Sequence, residues 1–194
     1  MSFKMKPDII IYGGPGSGKS TQAGLLVKKL GARHMNMGGL LRVTVAKKAS
    51  GWQTAKKYMD KGGLVPERIN SQLVHDFVAK IAKSKRIIFD GYPRSLLQIQ
   101  LFEKTQRQFG REAVMVFVYL PARVAKQRLV NRAKLENRLD DANPQTVAER
   151  LRVFRERSKE VIKHFRQQGC LIKIDGDQTI PQVAHDIWQA VKKL

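Results

Sequence analysis

Cysteine is almost missing from this chain: Cys170 is the only one in 194 residues. No intrachain disulfide can form, and a multi-cysteine zinc site is excluded. Long hydrophobic runs are missing too. No apolar stretch approaches the ~18 residues of a membrane-spanning helix. The apolar run after residues 1–7 is too short for a secretory signal core and leads straight into a glycine-rich turn, so it belongs to the fold and a cytoplasmic location is expected. Acidic residues are scarce, 16 against 37 lysines and arginines, for a net charge of +21. Such a surplus draws anions inward, and nucleic-acid contact is one extra role it allows. The basic residues are spread along the chain, however, and aromatics, at 7%, are rare among them. A stacking platform for single strands is therefore not signalled, and a generally basic surface is the simpler reading. Repeats, low-complexity segments and linkers are absent. With 42% apolar and 27% charged residues, the chain reads as one globular domain with a proper core.

The most informative stretch runs from Asp8 to Thr21. Ile9 to Tyr12 reads as a buried parallel strand. Residues 13–20 then match G-x-x-x-x-G-K-[ST], and a helix follows to Leu30. Glycines here let backbone N–H groups converge on an anion, and the helix turns its positive end toward it. Lys19 supplies a mobile charge for outer phosphates, and Ser20 a hydroxyl for magnesium. A chance glycine turn is the bland alternative, but the strand before and the helix after supply the context that the motif needs.

Four more strands are expected: Arg33–Met35, Arg86–Asp90, Ala113–Leu120 and Cys170–Ile174. Between them lie helices over Gly38–Ser50, Trp52–Lys61, Pro66 to about Ile81, Ser95–Gln108, Ala122 to about Arg132, Asn143–Gln168 and Pro181–Leu194. Residues 133–143 are polar, lack apolar periodicity and read as a loop or lid. Strands alternating with helices predict an α/β P-loop fold, a three-layer αβα sandwich around a five-stranded parallel sheet.

Asp90 ends an apolar strand, where an acid in a phosphate-loop protein helps hold magnesium directly or through water. Taken alone it could merely stop the strand. Arg42, Arg94, Arg128, Arg132, Arg138 and Arg150 sit at helix starts, after strand ends or around the polar loop. Arginine offers phosphate a permanently charged planar fork. Phosphoryl transfer needs charge neutralised on donor and acceptor, and an arginine-bearing loop that closes also excludes water. Arg152, Arg155, Arg157 and Lys159 read instead as a solvated helix face.

Gly13-Gly14-Pro15-Gly16-Ser17-Gly18-Lys19, Gly38-Gly39-Leu40-Leu41-Arg42, Leu64-Val65-Pro66-Glu67, Asp90-Gly91-Tyr92-Pro93-Arg94-Ser95 with Gln98, and Arg128 through Arg138-Leu139-Asp140-Asp141 to Arg150 occur in that order. Together they resemble the adenylate kinase family of nucleoside monophosphate kinases over nearly the whole chain. The resemblance implies magnesium-dependent transfer of a phosphoryl group from ATP to AMP. It implies that Gly14, Gly16, Ser17, Gly18, Lys19, Ser20, Thr21, Arg128, Arg132 and the turn at Gly176 bind ATP. Met37, Gly38, Arg42, Gly63, Leu64, Val65, Gly91, Arg94, Gln98, Arg138 and Arg150 would bind AMP. Lys19, Arg94, Arg132, Arg138 and Arg150 would act in catalysis, and Ser20 and Asp90 would hold magnesium. It further implies a core of residues 1–36, 67–121 and 144–194, an acceptor-binding lobe over 37–66, and a lid over about 122–143. Only five residues separate Arg132 from Arg138, which matches the short-lid form without zinc. A monomer without membrane attachment is expected.

The family usually reads Ser-Thr-Gly-Asp-Leu-Leu-Arg where this chain has Asn36-Met37-Gly38-Gly39-Leu40-Leu41-Arg42. Met37 replaces a threonine near the acceptor base and can fill that space by packing. A kinase of UMP or CMP is the neighbouring alternative, against which Gln98 argues. An ATPase associated with nucleic acid is the alternative of another class, motivated by the charge.

Overall fold

The computed structural model describes residues 6–136 and 143–194, with residues 132–136 and Pro144 described by backbone alone. Five parallel strands form one sheet: β1 (Asp8–Tyr12), β2 (Arg33–Asn36), β3 (Ile87–Asp90), β4 (Ala113–Tyr119) and β5 (Leu171–Asp175), in the order β2-β3-β1-β4-β5. Eight helices accompany it among the described residues: α1 (Lys19–Leu30), α2 (Met37–Ala46), α3 (Trp52–Asp60), α4 (Glu67–Ala79), α5 (Leu96–Gln108), α6 (Ala122–Glu136), α7 (Pro144–Gln167) and α8 (Ile180–Val191). The fold class expected from the sequence is thus present as an α/β layered sheet.

Alternation along β1 builds two cores. Ile10 and Tyr12 face a layer containing Phe89, Phe102, Met115 and Phe165. Ile9 and Ile11 face the opposite layer, where Ala23 and Leu26 of α1 meet Val183 and Ile187 of α8. Both faces are covered, so the strand is apolar at every interior position. From β1 the chain passes to β2 and β3 on one side, then to β4 and β5 on the other. The order reverses beside β1, and in open parallel sheets the crevice at the carboxyl ends of such strands is where ligands bind.

Local chemistry sets the helix starts. Ser95 accepts from Gln98 N at 3.2 Å, and Asn143 Oδ1 accepts from Gln145 N and Thr146 N. Two boundaries differ from the sequence-based expectation by four residues. The helix after Asn36 stops at Ala46 rather than Ser50, because the chain turns through a left-handed residue at Lys48 (φ 49°). The helix from Ala122 continues to Glu136, through residues expected to be loop, since Ala133 to Glu136 are strong helix formers with no glycine or proline to stop them. Among the described residues no helix is long and apolar enough to cross a membrane.

Candidate functional site

Segments that follow the carboxyl ends of β1, β2 and β3 build the crevice, and the segment before α4 and the helix α7 complete its walls. After β1 the chain makes the glycine-rich turn and enters α1. Gly16 and Gly18 adopt φ of 80° and 79°, a region open to glycine at no steric cost. A Cβ on Gly13 would stand 2.5 Å from Ser17 Oγ, and one on Gly16 2.8 Å from the Ala125 carbonyl oxygen. Side chains are therefore excluded where the loop folds on itself and on α6. Ser17 N donates to Gly14 O at 3.2 Å, while its buried Oγ has no partner among the described residues. Lys19 Nζ reaches Gly14 O at 3.4 Å, curling over the loop. Ser20 and Thr21 stand exposed in the first turn of α1.

The end of β3 brings a carboxylate to this loop. Asp90 is 3% exposed. Burial pushes its carboxyl up, but His34, the Lys19 charge and the Ser20 side chain outweigh that and hold it below the ordinary carboxylate range. His34 Nε2 lies 3.8 Å away, an electrostatic neighbour beyond hydrogen-bond length. Asn36 Nδ2 donates to Asp90 Oδ2 at 3.2 Å. An ionised carboxylate beside a hydroxyl and a lysine suits a magnesium ion that arrives with a nucleotide. Such ions take one or two protein ligands and keep phosphate and water as the rest.

Opposite this loop lies a second recess. α2 contributes Met37, Gly38 and Arg42, and the segment before α4 contributes Gly63, Leu64 and Val65. The turn after β3 and the start of α5 add Gly91, Arg94 and Gln98, and α7 adds Arg150. Gln98 is fully enclosed, its Oε1 accepting from Arg94 N at 2.8 Å. Arg94 Nε donates to Gly91 O at 2.7 Å. A Cβ on Gly91 (φ 84°) would stand 2.8 Å from Arg94 Nη2, so glycine there makes room for the arginine. Arg94 opens to solvent through the cleft mouth but sits deep among protein atoms. That surrounding mass, and then the charge of Arg150, lower its pKa, although a guanidinium remains charged.

The two recesses meet. A cavity lined by Gly13, Pro15 and Lys19 on one side also touches Arg94, Arg150, Phe154 and Arg157. Gly62, Leu64, Gly91, Arg94 and Arg150 line both it and the second recess. α7 supplies this wall through Arg150, Phe154 and Arg157, spaced to share one helix face. Gly62 (φ 72°) lets the preceding loop press on α7, where a Cβ would stand 2.8 Å from Thr146 O.

The similarity to known proteins follows this geometry. A sequence model of the family described as adenylate kinase matches residues 11–170. This chain belongs to the adenylate kinase family. It is 34% identical over 188 residues to an adenylate kinase of Phocaeicola vulgatus, covering 96% of this chain and 99% of that protein. It is 32% identical over 188 residues to one of Bacteroides thetaiotaomicron, with the same coverage of 96% and 99%. It is 34% identical over 176 residues to one of Thermus thermophilus, covering 90% of this chain and 91% of that one. Members of this family are nucleoside monophosphate kinases, a class of phosphotransferase.

Most residues singled out in the sequence come together around the crevice. Arg128 instead lies over the loop after β5, its Nη2 donating to Gln178 O at 3.3 Å. Gly176 is in that same loop and hydrogen-bonds to Tyr119 O at 2.7 Å. Arg132 belongs to α6 by its backbone, while Arg138, Asp140 and Asp141 fall outside the described residues. Arg157, expected on a solvated face, is exposed and also lines the junction cavity. Arg152 does behave as surface charge, held by half-buried Glu149 and exposed Glu156. Sequence reading also missed Asn70, a buried amide lining the second recess, whose Nδ2 donates to Val65 O at 2.7 Å. Its signal was a polar residue on the otherwise apolar face of α4.

Proposed function

We propose that this chain transfers the terminal phosphoryl group of magnesium ATP reversibly to AMP, giving two ADP. The observation that carries this reading is the junction cavity, where Lys19 of the donor loop faces Arg94 and Arg150, which also line the second recess. ATP would lay its phosphates on the amides of residues 14–20, with Lys19 on the outer ones. AMP would place its phosphate at Arg42 and Arg94, and its base between Met37, Val65 and Gln98. The P–O bond to the ADP leaving group breaks as a bond forms from an AMP phosphate oxygen. That oxygen is already anionic, so no general base is needed, and the protein contributes alignment and charge neutralisation.

Asp90 and Ser20 are the groups that would hold the nucleotide's magnesium, whose chemistry there is to neutralise phosphate charge. The 37–66 segment would serve as the acceptor lobe and residues 122–143 as the short lid, with Arg132 and Arg138 arriving on closure and Arg128 and Gly176 flanking the donor base. We also place the protein in the cytoplasm, a compartment suited to an unpaired thiol, and as a monomer, since like charges oppose self-association.

The test is a panel of nucleoside monophosphates with ATP and magnesium, followed by ADP production. AMP is expected to be phosphorylated best. A higher kcat/KM with UMP or CMP would overturn the base assignment, and RNA-stimulated hydrolysis without transfer would overturn the whole reading.

A further inference from the structure

Asn36 touches both halves of the crevice. It ends β2 and is the register partner of Asp90 on the adjacent strand. Its Nδ2 donates to Asp90 Oδ2 at 3.2 Å, and its Oδ1 accepts from Gly39 N at 2.7 Å. Only one orientation of the amide serves both contacts, because Asp90 accepts and Gly39 N–H donates. The second contact caps α2, the helix that carries Arg42 to the acceptor recess. Gly39 is part of the arrangement: a Cβ there would stand 3.3 Å from Asn36 Oδ1, and anything longer would crowd the cap. One short side chain thus links the donor-side carboxylate to the first turn of an acceptor-side helix.

We propose that Asn36 is a positioning residue that couples the two nucleotide sites. It holds the Asp90 carboxylate and the start of α2 in one fixed relation, so filling the donor side favours the α2 placement that holds the acceptor. By linkage the reverse effect is equal. The proposal rests on the donor and acceptor assignment made above.

A plain helix cap would show the same contact to Gly39, so the test separates the two roles. Asn36→Ser keeps a cap of similar quality, but its side chain ends one heavy atom short of the amide nitrogen that reaches Asp90. AMP affinity is measured by calorimetry twice, first alone and then with magnesium and a non-hydrolysable ATP analogue. In the wild type the second affinity is expected to be about fivefold or more tighter, within the usual range of coupling. In Asn36→Ser the thermal midpoint and the affinity for AMP alone stay close to wild type, while the enhancement disappears. Asn36→Ala loses the enhancement and weakens AMP binding alone as well. An enhancement that survives in Asn36→Ser, or is absent from the wild type, overturns the coupling. A wild type that binds neither nucleotide overturns the functional reading beneath it.

Discussion

The backbone N–H of Arg94 donates to the side-chain oxygen of Gln98 at 2.8 Å, which leaves the amide nitrogen of Gln98, unpaired among the described residues, as its polarity toward the second recess, where AMP is proposed to sit. That nitrogen is a donor, so it suits a base presenting a ring-nitrogen acceptor, as adenine does. Gln98→Glu keeps an oxygen for Arg94 but removes the donor. It is expected to raise the KM for AMP about tenfold, following the ~1.4 kcal/mol of a hydrogen bond, and to melt earlier at neutral pH than in acid, because the enclosed carboxyl is costly when ionised. Gln98→Leu should raise KM similarly and also melt earlier, because the Arg94 N–H is left unpaired. Steady-state kinetics beside thermal melts distinguish the two variants.

Lys19 stands over the loop amides and within the junction cavity. Lys19→Ala should lower kcat by about 10²–10³-fold, the scale for losing one preorganised charge in transition-state stabilisation. The circular dichroism spectrum should not change, since the side chain supports no core packing. Near-normal turnover would remove Lys19 from the transfer site.

Two arginines five residues apart on α7 should behave differently. Arg157 lines the junction cavity, whereas Arg152 is occupied by Glu149 and Glu156 at the surface. Arg157→Ala is expected to reduce kcat about tenfold, one charge-assisted contact being ~1.5 kcal/mol or more. Arg152→Ala should leave turnover within about twofold and stability within ~1 kcal/mol, as exposed ion pairs contribute little. Equal effects from both would remove Arg157 from the transfer site.

Asp90 makes stability depend on acid. Burial raises its carboxyl pKa, but His34, Lys19 and Ser20 more than compensate, so the folded value lies below the unfolded one. A depressed carboxylate stabilises the fold fully above the unfolded value of about 3.9, and that contribution is lost as pH falls through the lower folded value. Urea unfolding of wild type and Asp90→Asn at several pH values should show a gap in stability that is constant above pH ~5 and narrows below pH ~4. A gap that widens in acid would contradict the direction of the shift.

At the opposite pole of the sheet, Asp8 joins β1 to its neighbours. It accepts from Ile87 N at 2.8 Å and from Arg111 Nη1 at 3.0 Å, while Arg111 also donates to the carbonyls of Ile81, Ala82 and Lys85. Burial pushes the Asp8 carboxyl up against these partners. Asp8→Ala strands a guanidinium that is 5% exposed and should cost about 3–5 kcal/mol of unfolding free energy. Kinetic constants of the folded fraction should be unchanged, because the residue is at the far end of β1 from the crevice.

The glycine-rich loop was legible in the amino-acid order because its parts are consecutive. Ile9 to Thr21 supplies strand, turn and helix without a break, and glycine at 13, 16 and 18 is dictated by backbone geometry that recurs wherever amides gather on an anion. Apolar runs and caps at Ser95 and Asn143 likewise announced the layered sheet, since local hydrogen bonding and burial period act over a few residues. Register and helix phase decided the rest. That Asn36 meets Asp90 depends on β2 lying beside β3. That Arg157 reaches the junction cavity while Arg152 lies among Glu149 and Glu156 depends on how α7 is rotated against the loop. Asp8 meets Arg111 only because β1 is hydrogen-bonded to β4. Each contact joins residues far apart in the chain, where side-chain type allows many partners and packing of the whole selects one.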